Sequence, residues 1–312
     1  MSHTVVTLIC NPNAPALTDD IVSKASFHAT GAGLGGAWQR WLHRGVAYEY
    51  FFDRDGVPSA ALANVFRAAM VRLPVDVVVQ PAENREKRLL VADMDSTIIG
   101  QECIDELAEF VGKRAEISAI TERAMRGELD FEAALMARLA MLKGLPERVL
   151  EETFARRITL NPGAKTLVAT MKARGAVTAL VSGGFTFFTT RVAASAGFDL
   201  HDANTLIVES GAITGEVARP IKGRGAKEAA LLRIAAERAI PVEQTMAVGD
   251  GANDLGMIAR AGLGVAFHAK PAVAAAAGAR IDHGDLTALL YLQGIPQAEF
   301  KGREEGKGKR DK

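Results

Sequence analysis

The 312-residue chain carries 37 Lys and Arg against 37 Asp and Glu, so it has no net charge to draw it to nucleic acid or to an anionic membrane. Its two cysteines, Cys10 and Cys103, cannot build a disulfide framework or a cysteine metal site, and the length leaves room for two domains and a sizeable core. No basic segment followed by a long apolar core opens the sequence and no apolar run approaches a membrane span, which predicts a cytoplasmic protein.

Residues 1–80 read as strand 4–10, helix 18–29, strand 37–43, strand 47–53, helix 58–72 and strand 75–80. The order βαββαβ is that of a ferredoxin-like sandwich. Trp38, Trp41, Tyr48 and Phe51 fall in its two middle strands and are expected to fill its core. Residues 81–88 are polar and charged, as a linker would be. An apolar run, Leu89-Leu90-Val91-Ala92, then ends abruptly in Asp93-Met94-Asp95-Ser96-Thr97. The run is a buried parallel strand, and the carboxyl ends of such strands are where open α/β sheets bind ligands. Two carboxylates at one strand tip repel each other and resist desolvation. A divalent cation with oxygen ligands relieves both; the alternative is that the aspartates only cap a turn or helix.

Residues 100–160 break the α/β rhythm with four helical patterns, at 102–111, 114–126, 130–142 and 146–155, separated by Gly112, Gly127 and Gly144-Leu145-Pro146. A helical insert behind the first strand of the sheet fits a cap that closes over an active site. Cys103 reads as a buried structural thiol rather than a nucleophile. From 161 the rhythm returns: helix to 174, strand 177–182, helix 185–196, a hairpin at 207–217, a helix through 238, strand 245–248, then alternating short helices and strands to 292, with no assignment for 199–206. The fold expected for residues 89–299 is a doubly wound parallel sheet with the cap inserted, and 300–312, without apolar periodicity, is expected to be disordered. Three further stretches carry chemistry. Ser182-Gly183-Gly184 follows an apolar strand, and glycines let backbone N–H groups approach an anion. Lys227 lies between a Gly-rich loop and a helix, and Asp250-Gly251-Ala252-Asn253-Asp254 ends another strand. Carboxylate pair, hydroxyl, lysine and second carboxylate pair, in this order, make a phosphate and Mg2+ site.

This set resembles the four motifs of the haloacid dehalogenase superfamily of phosphohydrolases, and within it the phosphoserine phosphatase family. Asp93-Met94-Asp95-Ser96-Thr97 matches the phosphatase form of the first motif and Val248-Gly249-Asp250-Gly251-Ala252-Asn253-Asp254 the metal motif. Glu102, nine residues after Asp93, and Met125, Phe131 and Arg138 match that family's substrate residues. The resemblance covers roughly residues 85–295.

The resemblance implies a Mg2+-dependent phosphatase acting on O-phosphoserine, a step of serine biosynthesis. Asp93 is then the nucleophile and Asp95 the general acid and base. Lys227, the Ser182 hydroxyl and the Gly183 N–H hold the phosphoryl oxygens. Asp93, Asp95, Asp250 and Asp254 make the metal site, with Asp254 supporting it from behind and Asn253 orienting phosphate or substrate. Glu102 would bind the substrate ammonium, Arg138 its carboxylate, and Met125 and Phe131 would wall the pocket. Read alone, Glu102 is a solvated helix residue, Arg138 can be an exposed salt-bridge partner, and Met125 and Phe131 are plain core. The family often carries a small N-terminal domain like the amino-acid-binding ACT modules. Here it is either an effector site or homodimer interface, or a docking domain that binds nothing small. Two other activities use the same parts, a phosphotransferase passing the phosphoryl group to an alcohol such as homoserine and a phosphatase of another small phosphomonoester; a third reading is a non-catalytic amino-acid sensor with the N-terminal domain as its working part.

Overall fold

The computed structural model of the protein describes residues 3–36, 38–53 and 58–302. Its chain divides into two compact units. Among the described residues, the first comprises those of Met1–Arg85, Pro162–Ala176 and His283–Lys312, and the second those of Glu86–Asn161 and Val177–Asp282. No helix of the described residues is long and apolar enough to cross a membrane.

The first unit is built on an antiparallel sheet in the order β2-β3-β1-β4, from β1 (His3–Cys10), β2 (Trp38–His43), β3 (Ala47–Asp53) and β4 (Val75–Pro81). Two helices, α1 (Asp19–Gly31) and α2 (Ser59–Met70), complete the expected βαββαβ order. Thr18 caps α1 by accepting from the Ile21 N–H at 3.2 Å, and Asp19 and Asp20 complement its positive end. Alternation in β3 sends Tyr50 and Phe52 to the helical face, where both rings meet Phe66 of α2. Tyr48 and Phe51 are buried as expected, but Trp38 is not: it is 45% exposed. β2 is an edge strand, so Trp38 is only partly covered: its ring lies flat on Phe51, 3.5 Å between centroids, with the Arg40 guanidinium 5.6 Å from its centre. Trp41 is half-buried, edge-on to Tyr48. Ala37, which the sequence puts in this strand, lies outside the described residues.

The segment expected to be a linker is tied down. Arg85 is buried and pairs with Glu49, which is fully buried and also receives Arg40 Nε at 2.8 Å. Arg85 Nε donates to the Leu292 carbonyl at 3.1 Å, and Asp76 accepts from the His283 and Gly284 N–H groups. These bonds bring the C-terminal residues, including α12 (Ala288–Leu292), into the first unit beside α7 (Ala164–Ala173). The sequence places both segments with the α/β sheet instead. Part of the expected disordered tail is also held: Phe300 is buried against Tyr291 and the Lys301 N–H donates to Thr170 at 2.8 Å, while residues 303–312 lie outside the described residues.

The second unit centres on a six-stranded, wholly parallel sheet in the order β12-β11-β10-β5-β6-β7. The strands are β5 (Leu89–Ala92), β6 (Val177–Phe185), β7 (Leu200–Asn204), β10 (Thr245–Gly249), β11 (Leu263–Phe267) and β12 (Ala279–Ile281). β5 is central and every residue of it is fully buried, which explains its unbroken apolar run. Leu89, Val91, Ala179, Ala247 and Ala266 face a core closed by α9 (Arg224–Glu237), α10 (Leu255–Arg260) and α11 (Pro271–Ala276). β7, which the sequence does not reveal, is an edge strand whose polar His201 and Asp202 hide its strand character. A small antiparallel pair, β8 (Leu206–Glu209) and β9 (Ala212–Val217), forms the expected hairpin, and α8 (Thr186–Ala196) follows β6. The insert is α3 (Cys103–Ala108), α4 (Arg114–Met125), α5 (Phe131–Met141) and α6 (Arg148–Arg157).

Removing one member of a buried ion pair costs about 3–5 kcal/mol because the other charge stays buried. Arg85→Met should fall at the low end of that range, since Arg40 still reaches Glu49. The combined Arg85→Met, Glu49→Gln variant should recover part of the loss. Urea unfolding of the full chain reads both, and a double variant no more stable than the single would show that the buried charge is not the cause.

Candidate active site

Pairing register assembles the site. Ala92 of β5 lies opposite Val248 of β10 on one side and Leu180 of β6 on the other. Asp93, Asp250 and Ser182 therefore leave the sheet at three adjacent tips. Beyond Asp93 the chain turns in a kink rather than a regular helix, with Ser96 at φ 55. A non-glycine residue rarely adopts this conformation. Here it sends the Ser96 hydroxyl to Glu102 Oε1 at 2.6 Å.

Asp93, Asp250 and Asp254 are all buried, and one carboxylate oxygen from each lies within 4.8 Å of the others. Lys227, in the first turn of α9, is buried with them. Its Nζ is 2.7 Å from Asp93 Oδ1 and 2.6 Å from Asp254 Oδ1. Asp254 Oδ2 accepts from the N–H groups of Asp250 (3.2 Å) and Gly251 (3.0 Å), so both of its oxygens already have donors. Gly249 makes room for this brace, because a Cβ there would overlap the Asp254 carboxylate. Thr97 Oγ1 donates to Asp250 Oδ1 at 3.0 Å, and the Met94 N–H to Asp93 Oδ1 at 2.7 Å. The Asp95 carboxylate is engaged elsewhere, accepting from the Cys103 N–H at 2.9 Å and the Ser182 hydroxyl at 3.1 Å. The Gly184 N–H holds that hydroxyl at 2.8 Å.

Burial, then the charge of Asp254, drives the Asp93 pKa well up against the pull of Lys227. Burial also raises Asp95, opposed by the Cys103 and Ser182 hydrogen bonds. Burial and then Asp254 push Asp250 up to about 7. Burial works against the Lys227 ammonium, but Asp254 and Asp93 outweigh it and raise its pKa. Hard oxygen donors converging at one point, with protons retained against an excess of negative charge, suit a hard divalent cation.

The insert supplies the pocket's other wall. Glu102, Met125, Phe131, Arg138, Gly183 and Asn253 line it together with Asp93, Asp95 and Ser182. Phe131 packs on two glycines: a Cβ at Gly183 would come within 2.8 Å of its ring, and one at Gly223 within 3.3 Å. Met125 sits on Gly251 so closely that a Cβ there would overlap its methyl group. Burial first, then the charges of Asp95 and Asp250, hold the Glu102 carboxyl well above its usual range. A ligand cation would reverse that. Burial lowers the pKa of Arg138, with Glu102 and Asp105 opposing. Arg138 donates from Nε to the Ala134 carbonyl and from Nη1 to Thr121 Oγ1, both at 3.0 Å, and Nη2 has no hydrogen bond among the described residues. Asn253 Oδ1 is buried without a protein partner.

Nine of the candidate residues line this pocket, while Lys227, Asp250 and Asp254 meet Asp93 at its floor, and the Asp95 carboxylate stands apart from the three converging ones. The sequence reading passed over four contributors. Thr97 and Ser96 were visible only as hydroxyls following the aspartates. The Cys103 backbone N–H leaves no trace in sequence. Asn161, read as a helix opener, donates from Nδ2 to the carbonyls of Thr97 (2.8 Å) and Ile99 (3.2 Å), fixing the base of the insert.

Residues 90–259 match the haloacid dehalogenase-like hydrolase family. A phosphoserine phosphatase of Archaeoglobus fulgidus is 43% identical over 258 residues, which is 82% of this chain and 74% of that one. Among solved structures, a haloacid dehalogenase family hydrolase of Salmonella enterica serovar Typhi superposes with a TM-score of 0.80 at 31% identity, covering 93% of this chain and 98% of that one. A phosphoserine phosphatase carrying an analogue of its phospho-aspartyl intermediate superposes with a TM-score of 0.64 at 41% identity, over 66% of this chain and 98% of that one.

A carboxyl pushed up to about 7 at Asp250 must lose its proton before it ligates a cation. Divalent-cation affinity should therefore fall as pH drops below about 7, by about tenfold per unit for one displaced proton. Calorimetric titration of the metal-free protein with magnesium chloride on either side of neutrality measures this. Affinity independent of pH would mean that Asp250 is already ionised.

Proposed function

The chain belongs to the haloacid dehalogenase-like hydrolase family, and we propose that it hydrolyses O-phosphoserine to serine and phosphate through an aspartyl-phosphate on Asp93. The observation that carries this is the pairing in one pocket of a buried Asp93–Lys227 centre with Glu102 and Arg138 on the insert. An ammonium partner and a carboxylate partner facing a phosphate site describe a phosphorylated amino acid.

Asp93 attacks phosphorus and the serine oxygen leaves. Asp95 gives that oxygen its proton, then takes one from the water that opens the aspartyl-phosphate. Its hydrogen bonds to the Cys103 N–H and Ser182 hold it in place for both steps. Lys227 keeps Asp93 oriented and sets a fixed positive charge beside the phosphoryl oxygens. The Gly183 N–H would donate to the same oxygens, and the Ser182 hydroxyl would join it when it turns from Asp95; Asn253, with its unpartnered Oδ1, would orient the substrate. Mg2+ would be held by Asp93, Asp250 and the Asp95 carbonyl, with Asp254 bracing the set, and would supply charge neutralisation for an anionic substrate meeting an anionic nucleophile. Glu102 takes the ammonium and Arg138 the carboxylate. Met125 and Phe131, resting on Gly251 and Gly183, shut water out of the pocket.

The first test is phosphate release from O-phospho-L-serine, O-phosphothreonine and para-nitrophenyl phosphate, with Mg2+ and with excess chelator. Mg2+-dependent release confined to phosphoserine is expected, and comparable release from all three would sink the amino-acid reading while leaving the Asp93 chemistry. Asp93→Asn should abolish turnover, because an amide cannot form the acyl-phosphate; steady-state hydrolysis by a clean preparation would remove Asp93 as nucleophile. Each charge-assisted hydrogen bond is worth about 1.5–3 kcal/mol, so Arg138→Ala should cost phosphoserine about 100-fold or more in kcat/KM. The aryl phosphate should barely respond, and equal losses on both would exclude Arg138 from recognition.

A further inference from the structure

Behind Arg138 lies a buried polar chain that the catalytic steps do not use. Asp105, on α3, is 9% exposed and accepts at both oxygens from hydroxyls of α4: Ser118 Oγ at 2.6 Å and Thr121 Oγ1 at 2.7 Å. Thr121, 4% exposed, in turn accepts from Arg138 Nη1 of α5 at 3.0 Å. Three helices of the insert thus meet through a carboxylate, a hydroxyl and a guanidinium. Burying three such groups costs desolvation, and apolar side chains would join the helices as well or better. The arrangement therefore calls for a reason other than adhesion.

The geometry of the guanidinium supplies one. Nε is fixed on the Ala134 carbonyl and one Nη1 hydrogen on Thr121. Two of the five N–H groups are used, leaving one on Nη1 and both on Nη2, and Nη2 belongs to each edge of the fork that takes a carboxylate with two parallel bonds. Asp105 lends the buried cation a negative neighbour without occupying that end, because Thr121 stands between them. A direct Asp105–Arg138 pair would consume the fork.

We infer that Asp105 and Thr121 are positioning residues for substrate selection, holding Arg138 aimed so that its free end receives the carboxylate of a phosphorylated amino acid. This rests on the reading of the pocket given under Proposed function. Neither residue takes part in the phosphoryl steps; Thr121 also borders the pocket beside Arg138, whereas Asp105 does not line it and reaches it only through this chain. The corollary is that they govern binding of amino-acid substrates and leave the phosphoryl chemistry alone.

Thr121→Val removes the hydroxyl at nearly constant volume. The KM for O-phosphoserine should rise about tenfold while kcat stays within about twofold. Hydrolysis of para-nitrophenyl phosphate should be unaffected, and Thr121→Ser, which keeps the hydroxyl, should restore KM. Asp105→Asn should shift KM in the same direction and gives a second, independent variant should the first fold poorly. An unchanged KM in both variants, equal losses on both substrates, or failure of Thr121→Ser to restore KM would overturn the inference. The unsubstituted protein serves as the control on the earlier reading. If it shows no preference for phosphoserine, that reading falls and this one with it; if the preference is present and survives Thr121→Val, only the positioning role falls.

Discussion

One ammonium in a nest of carboxylates governs the second unit. Lys227 bridges Asp93 and Asp254 at hydrogen-bond distance with almost no access to solvent. With Asp250 beside them, three carboxylates face a single fixed cation. Ionised, they leave a shortfall of two positive charges, which is the charge of a divalent metal ion. Without it, burial and mutual repulsion raise the pKa values of Asp93 and Asp250. The same imbalance prepares the site for phosphate. A dry pocket with fixed positive charge and oriented donors stabilises charge that develops during reaction without having to reorganise.

The sheet exists to hold those groups still. Three neighbouring parallel strands deliver Asp93, Asp250 and Ser182 at adjacent tips, and Gly249 lets Asp254 fold back under the loop. The pocket's other wall comes from another layer. The insert brings Glu102, Met125, Phe131 and Arg138 over the strand tips, and two of these rest on glycines of the catalytic loops. The carboxylate centre and the wall above it therefore sit on different elements. The Ser96–Glu102 hydrogen bond is a direct tie between them, made through a backbone conformation that a serine seldom adopts.

The polar architecture of the first unit follows a similar economy of charge. Glu49 is buried in the middle of a sheet and remains there because Arg85 and Arg40 converge on it, while Arg85 also binds the carbonyl of Leu292. Residues that look like solvated linker in sequence are thus the ones that fasten the C-terminal segment to the sheet. Trp38 shows the converse: an aromatic residue in a strand looks like core, yet at an edge it stacks on Phe51 and stays partly exposed.

The sequence by itself determined most of the order of elements, the parallel sheet, and the carboxylates, glycines and lysine that the structure gathers at its strand tips. Each of those is written locally: an unbroken apolar run for a strand buried on both faces, helical spacing for the insert, and carboxylates, glycines and a lysine directly behind strands. Only the tertiary structure decided what depends on residues distant in sequence coming together. It placed 162–176 and 283–302 in the first unit rather than with the α/β sheet, through hydrogen bonds such as Asp76 to His283 and Gly284. It made β7 a strand by pairing a polar segment to β6, and it set Asp105 and Thr121 behind Arg138. A hydroxyl or a carboxylate on a helix reads as solvated until its partner is known, and hydrogen-bond partners, unlike apolar periodicity, leave no pattern along the chain.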